Sequence, residues 1–354
     1  MKLKSLYLRT FRNYQEALIH FSPGLNVIYG ENGQGKTNLL EAIYLLIHGR
    51  SFRTHHMREL IQFKKSSFYL EALFEKNGVE QILKLNFNHQ GRSLIHNAAS
   101  LPSLSSLLGI LNGVVISPQD YELVRGGPAI RRQFLDMQIA SQNPLYFHYL
   151  SRYTRAMKQR NFLLRSKKRE TMEIWEAQMA ESAAYLISQR LKTIKELEEE
   201  QSLKREIPPI SLAYQTNPPY HEEIDQLRNY FIQQYPHYRL REIEQGSTLI
   251  GPHRDDLLIQ ISGQEARFFS SDGEARSCAT SLRLAEWARL KTITGETPIL
   301  CIDELGISLD SNRENSLYQK LKQLGQVFVT SPKKIDTLPL DAHCIRVKNG
   351  IFIN

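Results

Sequence analysis

Short apolar runs with strand character alternate with helical ones over the first ~140 residues, a mixture that predicts an α/β layer structure. Leu3–Leu8 and Gly24–Tyr29 read as strands, and Asn38–Ile47 as an apolar helix. Ser67–Phe74 and Gln81–Asn88 read as an antiparallel pair whose Asn77-Gly78 connection is a favoured hairpin dipeptide. Val114–Ile116 is a short apolar strand that ends at Ser117-Pro118.

The pattern changes at Leu145. From there to Ile207 the chain has neither Gly nor Pro, the residues that most often interrupt helices. Two helices are expected, with a polar break near Arg165–Thr171. In the second, Ala180, Ala184, Ile187, Leu191 and Ile194 recur at alternating spacings of four and three, a seam that needs a partner helix. Pro208-Pro209 closes this region, and a further helix is expected over His221–Gln234. The last third returns to α/β, with strands at Leu257–Ile261, Ile299–Ile302 and Gln326–Thr330 and helices over Ala275–Ile293 and Arg313–Leu324. The expected organisation is an α/β head built from residues 1–140 and 241–354, with a helical arm, residues 141–240, inserted in sequence.

Composition narrows the class. The 354 residues are enough for one large or two ordinary domains, and 41% hydrophobic with 23% charged content is ordinary for a soluble globular protein. No run approaches the roughly 18–20 apolar residues needed to cross a bilayer, so no membrane association is expected. The N-terminus alternates basic and apolar residues and lacks the continuous apolar core of a signal peptide. Three cysteines, Cys278, Cys301 and Cys344, fit neither a zinc spacing nor a disulfide framework, which makes a reducing cytoplasm the expected compartment. The net charge of +8 permits a nucleic-acid partner without requiring one.

The chemistry-bearing motif is Gly30-Glu31-Asn32-Gly33-Gln34-Gly35-Lys36-Thr37, with the apolar run Leu25–Tyr29 before it and a helix after it. The glycines let successive N–H groups turn inward around phosphate oxygens, and the helix adds its positive dipole end. Lys36 places an ammonium against the β- and γ-phosphates, and Thr37 offers its hydroxyl to Mg²⁺. This is a P-loop, and a nucleoside triphosphate with Mg²⁺ is its expected ligand. Its acidic partner is expected at the end of the buried strand Ile299–Ile302. There Asp303 would hold Mg²⁺, directly or through water, and Glu304 would polarise the attacking water.

Ser271-Asp272-Gly273 precedes Asp303 by the space of one helix and one strand. In ABC-type ATPases a Ser-x-Gly loop at this place caps a helix against the γ-phosphate held by the opposite subunit; an ordinary capping turn is the other reading. Ser308-Leu309-Asp310 resembles the D-loop that crosses such a dimer, with Asp310 its acid.

Longer segments resemble one family. Thr10-Phe11-Arg12-Asn13-Tyr14 is similar to the N-terminus of SMC-like and RecF ATPases, and Gly30 through Tyr44 is similar to the RecF P-loop segment. Ser117-Pro118-Gln119-Asp120 through Gly126-Gly127-Pro128, Arg131 through Asp136, and Leu249 through Asp256 resemble further RecF signatures. The resemblance implies an ABC-ATPase-like P-loop head with mixed sheets, flanking helices and an α-helical arm. It also implies weak, DNA-dependent ATP hydrolysis that serves as a switch in recombinational repair and replication restart. ATP would bridge a homodimer, with Gly30–Thr37 and Asp303 of one copy facing Ser271–Gly273 of the other. The dimer would close on single- and double-stranded DNA at gaps and junctions, and recruit RecR- and RecO-type mediators for recombinase loading. The chain departs from the family's usual pattern at Asp272 and Glu274, where glutamines are common, and at Gln119, a further candidate for the metal, where an acid is common.

Two other classes are open at this point. A transport-associated ABC subunit is opposed by the long arm and the absence of apolar spans. A nuclease would use His253, Asp255 and Asp256 as metal ligands. For DNA, the arm supplies Arg155, Lys158, Arg165 and Arg169 on one helical face, read either as a solvated face or as a phosphate-contacting stripe. Arg131 and Arg132 are further candidates.

Overall fold

In the computed structural model the described residues are 1–168, 170–202, 210–216, 223–304, 321–335, 338 and 341–353. The chain divides into two compact units, Met1–Gln119 with Glu286–Asn354, and Asp120–Ala285.

The first unit holds two sheets with a helix between them. One sheet is antiparallel, in the order Tyr14–His20, Lys2–Phe11, Ser67–Lys76, Val79–Asn88, Gly91–His96, Ala99–Ser100. Burial alternates along Ser67–Phe74, so one face of the strand meets the core. The other sheet runs Ile351–Ile353, His343–Lys348, Leu25–Tyr29, Val327–Ser331, Ile299–Ile302, Gly113–Ile116, parallel except at its Ile351–Ile353 edge. Strands Ile299–Ile302, Val327–Ser331 and Gly113–Ile116 are buried along their whole length, which is why they read as continuous apolar runs. The helix Lys36–His48 contributes Leu39, Leu40, Ile43, Leu46 and Ile47 to a core shared with both sheets.

The second unit is mainly helical. Pro144–Arg165 and Met172–Ser202 pair along their length, and Ile224–Gln245 packs on both. Ala180, Ala184, Ile187 and Ile194 are buried and Leu191 is half-buried, so the seam meets its partner. The expected break at Arg165–Thr171 falls between the helices. The third helix runs further than His221–Gln234 and passes through Pro236, because buried Tyr235 and Glu242 hold it on either side. An antiparallel sheet of Gln264–Glu265, Asp256–Ile261 and Ile210–Gln215 completes the unit. Helix Asp272–Thr294 starts in this unit and ends in the first.

Both expected domain boundaries, 140/141 and 240/241, fall inside the second unit. The helix Pro128–Ala140 packs on Met172–Ser202 and on strand Asp256–Ile261, and so belongs with the arm rather than the head. The expected helix Arg313–Leu324 lies outside the described residues except for its end. No described helix is long and apolar enough to cross a membrane.

Candidate functional site

The P-loop leaves strand Leu25–Tyr29 and enters helix Lys36–His48. At Gly30 and Gly35 φ is 156° and 120°. A side chain at Gly30 would run into the Val347 carbonyl, and one at Gly35 into the Asn13 amide, so the loop path demands glycine at both. Gly35 caps the helix without a side-chain acceptor, leaving the first-turn N–H groups to an anion. Lys36 is buried, and its ammonium donates to the carbonyls of Gly30 (2.7 Å) and Glu31 (2.9 Å). Burial lowers its pKa, while Glu304 and Asp303 oppose the shift by attraction.

The parallel sheet brings the acidic partner to this loop. Strands Leu25–Tyr29 and Ile299–Ile302 flank Val327–Ser331, so Thr37 and Asp303 both emerge at the carboxyl edge. The Thr37 hydroxyl donates to Asp303 Oδ1 at 3.1 Å. Thr330, from the strand between, donates to the same oxygen at 2.7 Å and accepts the Glu304 N–H at 2.8 Å. Glu304 has φ 58°, an uncommon backbone for a non-glycine residue, and its side chain is exposed. Gln119 follows strand Gly113–Ile116, the neighbour of Ile299–Ile302, at the same edge and exposed. Thr330 was missed by the sequence reading. A hydroxyl at the end of an otherwise apolar strand, flanked by the P-loop and acidic strands, was the available signal.

Ser271, Asp272 and Gly273 open helix Asp272–Thr294. Glu274 Oε2 accepts both the Ser271 N–H (2.7 Å) and its hydroxyl (2.8 Å), while the Glu274 N–H donates back to Ser271 Oγ at 3.3 Å. This reciprocal arrangement is a capping box, and it holds the Glu274 carboxyl below the usual glutamate range. Asp272 accepts the Tyr121 hydroxyl at 2.7 Å and lies 3.5 Å from the Arg125 guanidinium. Asp310 and the rest of the expected D-loop lie outside the described residues.

The basic candidates divide. Arg131 is not a surface residue: it is 3% exposed and makes a two-pronged pair with Asp256, both contacts 2.7 Å, while donating to the Gly126 carbonyl. Sequence adjacency hid this, because its acidic partner lies 125 positions away. Arg132 is half-buried and donates to the Asp255 carbonyl at 2.6 Å. Arg155, Lys158 and Arg165 are exposed on the first arm helix, and Arg169 lies outside the described residues. Leu150, Ser151, Thr154, Arg155, Lys158 and Gln159 line one recess there.

The nuclease constellation does not assemble. Burial pushes His253 down to about 4, and its ring meets the Tyr153 hydroxyl (2.7 Å) and the Thr248 carbonyl (3.1 Å). Asp255 accepts the Tyr214 hydroxyl at 2.7 Å, and Asp256 is committed to Arg131. Among the described residues no group of three or more His, Cys, Asp or Glu could hold a metal.

Comparison with known proteins gives the family. The model of the RecF/RecN/SMC N terminal domain matches residues 2–348. A DNA replication and repair protein RecF from Protochlamydia amoebophila is 47% identical over 96% of this chain and 97% of its own length. The chain belongs to the RecF family. Two solved RecF structures have the same fold throughout. The recombination mediator protein RecF-ATPrS in the RecFOR pathway gives a TM-score of 0.92 at 32% identity, covering 99% of this chain and 97% of that one. The RecF-ATP structure gives 0.91 at 32% identity with the same coverage. RecF membership fixes the fold as an SMC- and ABC-like ATPase head and the class as a DNA replication and repair protein.

Proposed function

We propose that the chain binds ATP at Gly30–Thr37 and uses slow, DNA-dependent hydrolysis as a switch in recombinational repair and replication restart. The observation that carries this reading is the Thr37–Asp303 pair at 3.1 Å beneath a glycine loop whose helix end is uncapped. The solved RecF-ATP structure supports the choice of nucleotide.

Mg²⁺ fits the same place. Thr37 Oγ1 and the Asp303 carboxylate offer two oxygens, and this ion takes few protein ligands because phosphates and water complete its octahedron. Bound there it would neutralise charge on the β- and γ-phosphates. Lys36 leaves the Gly30 and Glu31 carbonyls for the phosphates; Asp303, held by Thr330, keeps its orientation; Glu304, exposed beside it, accepts a proton from water.

ATP bridges two copies, with Ser271–Gly273 of one copy and Asp310 at the interface facing the P-loop of the other. The dimer closes on DNA at single-strand gaps and junctions in the cytoplasm, with Arg155, Lys158 and Arg165 as candidate phosphate contacts, and RecR- and RecO-type mediators join it there. The RecFOR pathway of the solved relatives supports this choice of partners. Glu304→Gln is expected to slow hydrolysis by about 100-fold or more while ATP binding persists. Turnover equal to wild type, measured by phosphate release, would remove Glu304 from the chemistry.

A further inference from the structure

A P-loop binds phosphate only if its peptide N–H groups face inward, and something must set that orientation before the ligand arrives. The Gln34 main-chain carbonyl is held from outside by two donors, the Asn13 side-chain amide at 2.8 Å and the Gly350 N–H at 3.0 Å. The Gln34 side-chain oxygen accepts a third, the Asn349 N–H at 2.6 Å. In a trans peptide the carbonyl and the following N–H point in opposite directions. Fixing the Gln34 carbonyl outward therefore turns the Gly35 N–H toward the concave side of the loop. One residue on, the fully buried Tyr14 hydroxyl donates to the Gly35 carbonyl at 2.9 Å, alongside the helical bond from the Leu39 N–H at 3.0 Å.

The clamp is itself anchored. The Asn38 amide, on the P-loop helix, donates to Asn13 Oδ1 at 2.8 Å, and Arg53 donates to Asn38 Oδ1 at 2.8 Å. On the other side, Asn349 and Gly350 form the turn between strands His343–Lys348 and Ile351–Ile353, and Phe352 packs on Tyr14 with ring centroids 5.4 Å apart. Two segments at opposite ends of the sequence thus converge on one peptide group.

We propose that Asn13 and the Asn349-Gly350 turn are positioning residues for phosphate binding, acting through the Gln34–Gly35 peptide. This rests on the reading of Gly30–Thr37 as the ATP site. The test is ATP binding by titration calorimetry with Mg²⁺, together with steady-state hydrolysis, for wild type, Lys36→Ala, Asn13→Ala and Gln34→Ala. Asn13→Ala is expected to raise Kd and KM for ATP about tenfold, the worth of one well-placed hydrogen bond, with kcat within about twofold of wild type. Gln34→Ala keeps Asn13 in place and loses only the Asn349 contact; it is expected to weaken ATP about threefold, and it carries the test if Asn13→Ala fails to fold. The nucleotide-free melting temperature reports fold damage separately. ATP affinity unchanged in the folded variants, with wild type binding and Lys36→Ala impaired, overturns the clamp alone. Wild type that does not bind ATP overturns the site reading and the clamp with it.

Discussion

Ser271 gives both its hydroxyl and its N–H to one oxygen of Glu274. In the proposed dimer these are the groups that meet the partner's γ-phosphate, so the carboxylate occupies the place of the anion and repels it. Its depressed pKa means the cap contributes above the unfolded glutamate value and is lost as pH falls through the lower native one. Glu274→Gln keeps an acceptor for the cap and removes the charge. It is expected to tighten the ATP-dependent dimer about threefold to tenfold, measured as the dimer dissociation constant by sedimentation across a concentration series. A weaker dimer would mean that the carboxylate supports the closed state. At this scale the sequence carried the motif residues and missed their partners. Gly30–Thr37, Asp303 and Ser271–Gly273 stand out because glycine spacing and acid-after-strand are local signals. Thr330 and Asn349 meet the site only through contacts between distant segments, and no local pattern marks them; Asn13 lies in a segment that stood out, but its contact with the Gln34 carbonyl did not. Arg131 shows the converse error, a charge pair read as surface because its buried partner is remote.

At the scale of elements, the arm helix Pro144–Arg165 has two different faces. One is internal: fully buried Arg160 lies 3.0 Å from Glu176 and 2.6 Å from Glu242, and donates to the Thr248 hydroxyl, tying the three long helices together. The other carries exposed Arg155, Lys158 and Arg165 beside a recess. The helical period set the basic face apart in the sequence, and in the structure Tyr153 and Ala156 are buried on the packed side. Which acids meet Arg160 was not legible, since they come from other helices. For the exposed face, each phosphate contact releases about one counterion. The double variant Arg155→Ala/Lys158→Ala is therefore expected to lower the salt slope of DNA binding by about two, measured by titration at a series of salt concentrations. A slope equal to wild type would assign these cations to a solvated face. The pair lies away from Arg160, so the melting temperature should be preserved.

For the whole molecule, the α/β head with an inserted helical arm was readable from the switch of apolar period, and the family from the spread of its motifs. The placement of Pro128–Ala140 and of the small sheet with the arm was not, because it depends on packing between residues such as Arg131 and Asp256 rather than on local propensity. The central claim concerns two copies rather than one: nucleotide held at the P-loop joins heads on DNA, and hydrolysis releases them. Sedimentation velocity of wild type and Lys36→Ala, with and without ATP on gapped DNA, measures this directly. The account predicts that ATP converts wild type to a dimer that stays on the DNA, while Lys36→Ala remains monomeric and binds more weakly. Equal monomeric sedimentation of both proteins with ATP, and unchanged DNA binding, would contradict it.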